Sequence, residues 1–152
     1  MSTSLATPTP GSPETAAVRS MFDRIAPRYD LLNRLLSGGT DVRWRRRAVD
    51  LLDLGAASRV LDLCTGTADL LIEVLRRDEG HSGLGVDLSH GMLARGTAKL
   101  RRGGYTGRAG LVGGDGERLP LRDGAFDGAL APASAGVDTD QSPNTITVDV
   151  TA

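Results

Sequence analysis

Apolar positions along the chain recur first at a helical period and then in short runs. Ser12, Pro13 and Glu14 read as the cap, first residue and first-turn acid of a helix. Ala17, Val18, Met21, Phe22 and Ile25 give it one apolar face, and Pro27 is expected to end it. A second short helix carries Leu31, Leu32, Leu35 and Leu36 and is closed by Ser37-Gly38-Gly39. A third starts near Thr40-Asp41 and runs through Trp44, Ala48 and Leu51/Leu52 to Gly55.

From Arg59 the pattern becomes strand, helix, strand. Arg59 to Leu63 is a short apolar strand that runs into Cys64-Thr65-Gly66-Thr67. Ala68 to Arg77 is helical, with Leu70, Leu71, Val74 and Leu75 on one face and arginines at its carboxyl end. Gly83 to Asp87 is a second strand. Ser89 caps a helix that contains Met92, Leu93 and Leu100 and stops at Gly103-Gly104. Ala109 to Gly113 is a third strand, ending at Asp115, and Phe126 to Leu130 a fourth, entered through Asp123-Gly124. This order predicts an α/β fold with a parallel sheet covered by helices. Ala131 to Asn144 is small, polar and Pro-bearing and reads as loop; Thr145 to Thr151 alternates as a short edge strand. Without that cover the fourth strand would be an unprotected edge and the chain poorly stable.

With 18 basic and 19 acidic residues among 152, the formal charge of −1 gives no general attraction to nucleic acid or to an anionic membrane. Seventeen of the basic residues are Arg; Lys99 alone is Lys. The Arg43-Trp44-Arg45-Arg46-Arg47 run is better read as a solvated helix face, or a weak contact with lipid headgroups, than as a nucleic-acid site. Cys64 stands alone, which leaves no intrachain disulfide and no Cys-based metal site. No secretory leader and no apolar run of about 18 residues is visible, and the expected compartment is the cytoplasm.

In a parallel α/β sheet, ligands bind beyond the carboxyl ends of the strands. Gly66 and Thr67 occupy the first strand-to-helix turn, where small residues let a ligand reach backbone N–H groups. Asp87 ends the second strand, 21 residues after Gly66, at the spacing of an acid that accepts ribose hydroxyls. Asp115-Gly116 ends the third, where a carboxylate can accept an adenine amine, and Asp62 ends the first, where it can meet a ligand ammonium. Each acid alone is ordinary turn chemistry; acids at three successive strand ends point to a nucleotide. A dinucleotide needs several loop glycines for its pyrophosphate, and this loop has one. S-adenosylmethionine (SAM) has no phosphate and is favoured over NAD.

These residues resemble the ubiquinone/menaquinone biosynthesis C-methyltransferases. Tyr29-Asp30-Leu31-Leu32-Asn33, Ser37 and Trp44 sit at the positions of that family's first signature, with Leu32 for Met and Asp41 for His. Val60 to Leu70, Val86-Asp87, Asp115 to Pro120 and Phe126-Asp127 match its later segments, so the likeness covers about residues 17–130. The resemblance implies a Rossmann-like class I SAM-dependent fold and methylation of a ring carbon of a prenylated demethylquinol. It implies SAM contacts at Thr67, Asp87, Asp115 and Gly116, with Asp115-Gly116 standing where the family has Asn-Ala. Tyr29 and Asn33 would line the quinol pocket, and a peripheral membrane contact would give access to that substrate. No general base is identified, His81 and His90 being read as surface or capping residues, and no oligomeric state follows. From Ala131 the family's Ser-Phe-Gly, Arg-Asn and Lys-Pro-Gly-Gly segments do not appear, and Pro132 takes the place of a SAM-contacting Ser. The chain therefore divides into a disordered start (1–12), a helical lid or substrate segment (13–56), a partial SAM-binding domain (57–130) and a non-family tail (131–152), as in a truncated or frame-shifted version. The alternatives are an inactive SAM-binding remnant and an NAD-linked oxidoreductase.

Overall fold

The structure is a computed structural model that describes residues 13–36, 38, 40–115, 121–122, 124–132 and 145–148. The first two expected helices are one: α1 spans Pro13–Leu36 without a break at Pro27. Proline removes a single N–H from the helical ladder, and packing on both sides of it outweighs that loss. Ala26 is buried on helix α4 (His90–Gly103), where a side chain on Gly91 would crowd it: a Cβ there would lie 3.3 Å from the Ala26 Cβ. Of the expected apolar face, Phe22 and Ile25 are half-buried, whereas Val18 and Met21 remain exposed. Helix α2 spans Thr40–Asp50 and buries Ala48 and Val49.

The sheet contains β1 (Arg59–Leu63), β2 (Ser82–Asp87), β3 (Ala109–Gly113), β4 (Gly128–Pro132) and β5 (Thr145–Val148), in the order β3-β2-β1-β4-β5. The first four are parallel and β5 runs antiparallel to β4. Helix α3 (Asp69–Arg77) joins β1 to β2, and α4 joins β2 to β3. As the sequence suggested, Ser89 caps α4, its hydroxyl accepting the Met92 N–H, and Gly104 in the left-handed region ends it.

The fourth strand departs from expectation at both ends. Phe126 packs against the core cluster of Leu61, Val86 and Ala129 but precedes the strand. Asp127 instead clasps Arg59: its N–H donates to the Arg59 carbonyl at 2.8 Å, and its carboxylate accepts the Arg59 N–H at 2.7 Å. Ladder pairing then starts at Val60↔Gly128. At the other end Ala131 and Pro132, expected in a loop, are strand residues opposite Ile146 and Thr145. The edge of β4 that looked unprotected is thus covered by β5; the rest of the tail lies outside the described residues.

One side of β1 and β4 meets α2 and α3 through Val49, Val60, Val74 and Leu130, all buried. Leu71, Leu75, Ala68 and Leu100 form a second cluster. The first anchors α3 and the second both α3 and α4, with their amino ends beside the carboxyl edge of the sheet.

Candidate cofactor-binding site

Strand β1 lies between β2 and β4, so the direction of strand succession reverses there. A crevice at such a reversal is where open α/β sheets take ligands. The loop that leaves β1 is held in an unusual backbone: Cys64, Gly66 and Ala68 have φ of 54°, 56° and 65°. Left-handed conformations at non-glycine residues each cost about 1–2 kcal/mol, and such strain concentrates at functional sites. Among the described residues nothing lies within 4 Å of where a Gly66 Cβ would be, so at that point the loop is open to a ligand.

Two backbone N–H groups tie the loop to β2. The Thr65 N–H donates to the Val86 carbonyl at 2.9 Å, and the Gly66 N–H donates to Asp87 Oδ2 at 2.8 Å. Asp87 Oδ1 accepts the Ser89 N–H at 2.8 Å. One carboxylate thus joins the first loop to the start of α4. Each of its oxygens has a further lone pair. The Gly114 N–H donates to the Asp87 carbonyl at 3.1 Å, which brings Asp115 alongside the end of β2.

Asp62 lies beneath the loop, 2 % exposed, and accepts the Thr65 hydroxyl at 2.6 Å. Burial pushes its carboxyl up to about 7, against hydrogen bonds from Thr65 and the Leu71 backbone, and the neighbouring charges of Asp87 and Asp69 are both negative.

The structure therefore brings Asp62, Gly66, Asp87 and Asp115 to one edge. Thr67 reaches that edge in the chain, but its side chain is buried and turned to the helices. Its hydroxyl donates to Asp30 Oδ1 at 2.7 Å and accepts from Lys99 Nζ at 2.8 Å. Gly116 lies outside the described residues. Tyr29 is half-buried on α1; Asn33 is on the same helix, and its side chain lies outside the described part. His81 is buried rather than at the surface: its Nδ1 accepts the Ser58 N–H at 3.1 Å, at the opposite end of the sheet.

Several residues that shape the edge carried no assignment from sequence. Lys99 also donates to Asp30 and Asp69, at 2.8 and 2.7 Å. Arg45 connects Asp69 to Asp41 at 2.7 Å each. Asp23 accepts the Ser89 hydroxyl and the Gly91 N–H. A single lysine in a chain that otherwise uses arginine was the visible sign of the first network. Gly85 and Gly96 matter for space. A Cβ at Gly85 would lie 2.6 Å from Leu111 and 2.8 Å from the Thr65 hydroxyl; one at Gly96 would lie 2.8 Å from Leu111 and 3.2 Å from Ala68.

Residues 11–136 match the ubiE/COQ5 methyltransferase family. The chain is 45 % identical over 113 residues to the ubiquinone/menaquinone biosynthesis C-methyltransferase UbiE of Geobacter sp. (strain M21), covering 74 % of this chain and 48 % of that protein. It is 50 % identical over 107 residues to the demethylmenaquinone methyltransferase of Thermus thermophilus, covering 70 % and 48 %. It spans about half the length of these curated relatives. Among solved structures, a SAM-dependent methyltransferase from Thiobacillus denitrificans, in complex with S-adenosyl-L-homocysteine, superposes with a TM-score of 0.50 at 28 % identity, over 56 % of this chain and 34 % of that one. With the strand order, the glycine loop and most of its length matched, the chain belongs to the ubiE/COQ5 methyltransferase family.

Proposed function

We propose that this chain binds SAM at the carboxyl edge of its sheet and serves methylation of a ring carbon of a prenylated demethylquinol. The observation that carries the reading is the set of carboxylates at that edge: Asp87 holding the Gly66 loop, with Asp62 and Asp115 on either side. Such an edge repels a diphosphate and suits a ligand that presents hydroxyls, an amine and a cation. Of the nearby cations, Lys99 is engaged by Asp30 and Asp69, and Arg45 by Asp69 and Asp41. That balance also argues against an NAD-linked oxidoreductase.

When bound, SAM supplies an electrophilic methyl group. In this reading the remaining lone pairs of Asp87 accept the ribose hydroxyls, and Asp115, with Gly116 next to it, meets the adenine. The Gly66-Thr67 turn lets the ligand approach the backbone. Asp62, buried among negative charges, gains a counter-ion from the ligand ammonium. Tyr29 and Asn33 on α1 are assigned to the quinol pocket. The protein's share in the chemistry is alignment and exclusion of water; the base that takes the phenolic proton is not assigned.

The relatives' names refer to quinone substrates, and α1 offers a way to reach one at a membrane. Leu31 and Leu35 are 61 % and 67 % exposed, with Arg24 and Arg28 exposed on the same helix. No described helix is long and apolar enough to cross a membrane. We assign the chain to the cytoplasmic side, with peripheral contact through this surface; retention on phosphatidylglycerol vesicles, and release by salt, tests it.

Isothermal titration with S-adenosylhomocysteine (SAH) and with NAD tests the cofactor: SAH binds and NAD does not, and tighter binding of NAD would end the proposal. Methyl transfer to demethylmenaquinol distinguishes a competent enzyme from a chain that only binds.

A further inference from the structure

Helix α1 meets the cofactor edge along one stripe. Asp23, Ala26 and Asp30 are three and seven residues apart, the spacing of a single helical face. Gly91 lets this stripe approach α4 closely: a Cβ there would also lie 3.2 Å from Asp23 Oδ1. At the first point, Asp23 accepts the Ser89 hydroxyl and the Gly91 N–H, while the Ser89 N–H donates to Asp87. At the second, two turns on, Asp30 accepts from Thr67 and Lys99. Lys99 extends this contact to Asp69, and Arg45 carries it on to Asp41 of α2. One leads through Ser89 to the carboxylate that holds Gly66; the other ends on the residue that follows Gly66.

We propose that Asp23 and Asp30 are positioning residues that couple the seating of α1 to occupancy of the cofactor edge. Whatever fixes Gly66, Thr67 and Asp87 also fixes the partners of α1, and a seated α1 pre-orders the loop. The coupling is reciprocal by linkage. It rests on the reading that this edge takes SAM, and it makes the substrate segment, with Tyr29 and Asn33, responsive to the cofactor. A purely structural α1 would pack equally well over an occupied or a vacant edge.

Hydrogen exchange followed by mass spectrometry on the unmutated chain, with and without saturating SAH, separates these cases. SAH is expected to slow amide exchange at residues 62–68 and 87–93, and by about tenfold at 23–36 as well. Slowing at the edge with α1 unchanged would overturn the coupling and leave the SAM site intact. No slowing at the edge would remove the SAM reading and the coupling with it. The variants Asp23→Asn and Asp30→Asn, checked for an unchanged far-UV circular dichroism spectrum, should each weaken SAH binding about tenfold, whereas Asp50→Asn, whose carboxylate pairs with Arg77 outside this network, should leave it within about twofold. Wild-type affinity in both folded α1 variants would overturn the proposal. Should those variants not fold, the exchange experiment on the unmutated chain decides alone.

Discussion

The cofactor edge and helix α1 are held by opposite kinds of constraint. At the edge, the backbone places the side chains: Asp62, Asp87 and Asp115 sit where parallel strands end, and pairing such as Asp62↔Gly85 fixes their relative heights. On α1, side chains place the backbone, through Asp23 on the first turn of α4 and Asp30 on Lys99 and Thr67. The first arrangement is determined over short stretches of sequence. The second exists only after α4 has folded against the sheet.

The largest expected effect breaks the edge itself. Asp87→Ala leaves the Gly66 and Ser89 N–H groups without their acceptor. Hydrogen bonds to a charged group contribute about 1.5–3 kcal/mol each, so losing both should cost about 3–6 kcal/mol in urea unfolding, with a fall in SAH affinity of about 100-fold or more. An Asp87→Ala chain that bound SAH normally would show that the edge does not depend on this carboxylate.

The same contrast explains what was legible in the sequence. Strands β1 and β3 and the cap and stop of α4 could be read from apolar runs, Ser89 and Gly104, because those signals act within a few residues. The acids at the edge were legible for the same reason, their positions following from the strand ends. Pro27 misled because its local preference is outweighed by the burial of Ala26 and the contacts of Asp23 and Asp30, all of them with residues more than 30 positions away. Thr67 was expected to face the ligand by its loop position; its hydroxyl is instead engaged by Asp30 and Lys99, which no local pattern announces. The Asp127–Arg59 clasp, which delays the start of β4, spans 68 residues.

Asp62 gives the next effect, on pH dependence. Burial raises its carboxyl to about 7 from an ordinary 3.8. Between those values the folded chain holds a proton that the unfolded chain has released, so the stability from this group falls as pH rises through the window and is flat above it. At about 1.4 kcal/mol per unit, Asp62→Asn should gain about 4 kcal/mol relative to the unmutated chain between pH 4 and pH 7.5. Chemical unfolding at those two pH values checks it; a constant difference would place Asp62 in water. The edge also depends on space. Gly96→Ala pushes a methyl against Leu111 and Ala68 and should cost about 1–3 kcal/mol, read as a lowered melting temperature; an unchanged melt would mean that α4 can shift away from the loop.

The smallest effect sharpens the account of α1 by comparing two ion networks of similar geometry. Arg77 pairs with Glu73 at 3.1 Å and Asp50 at 2.9 Å, linking α3 to the end of α2, and the Arg77 and Asp50 side chains are 38 % and 60 % exposed. Lys99 pairs with Asp30 and Asp69 at 2.8 and 2.7 Å and is 17 % exposed. Exposed pairs are screened by water and salt and contribute about 0–1 kcal/mol, so Arg77→Ala should cost less than about 1 kcal/mol and lose even that in 1 M salt. Lys99→Met is different in kind, because it leaves Asp30 and Asp69 half-buried without their shared cation. Burial would raise the Asp30 carboxyl, but hydrogen bonds from Lys99 and Thr67 and the ammonium charge hold it below the usual range. Stability from Asp30 is therefore present at neutral pH and lost only as pH falls below about 4. The Lys99→Met cost should accordingly exceed that of Arg77→Ala at pH 7, resist salt, and shrink at pH 3. Equal costs for the two variants, with equal salt dependence, would mean that α1 is seated by apolar packing around Ala26 rather than by its carboxylates.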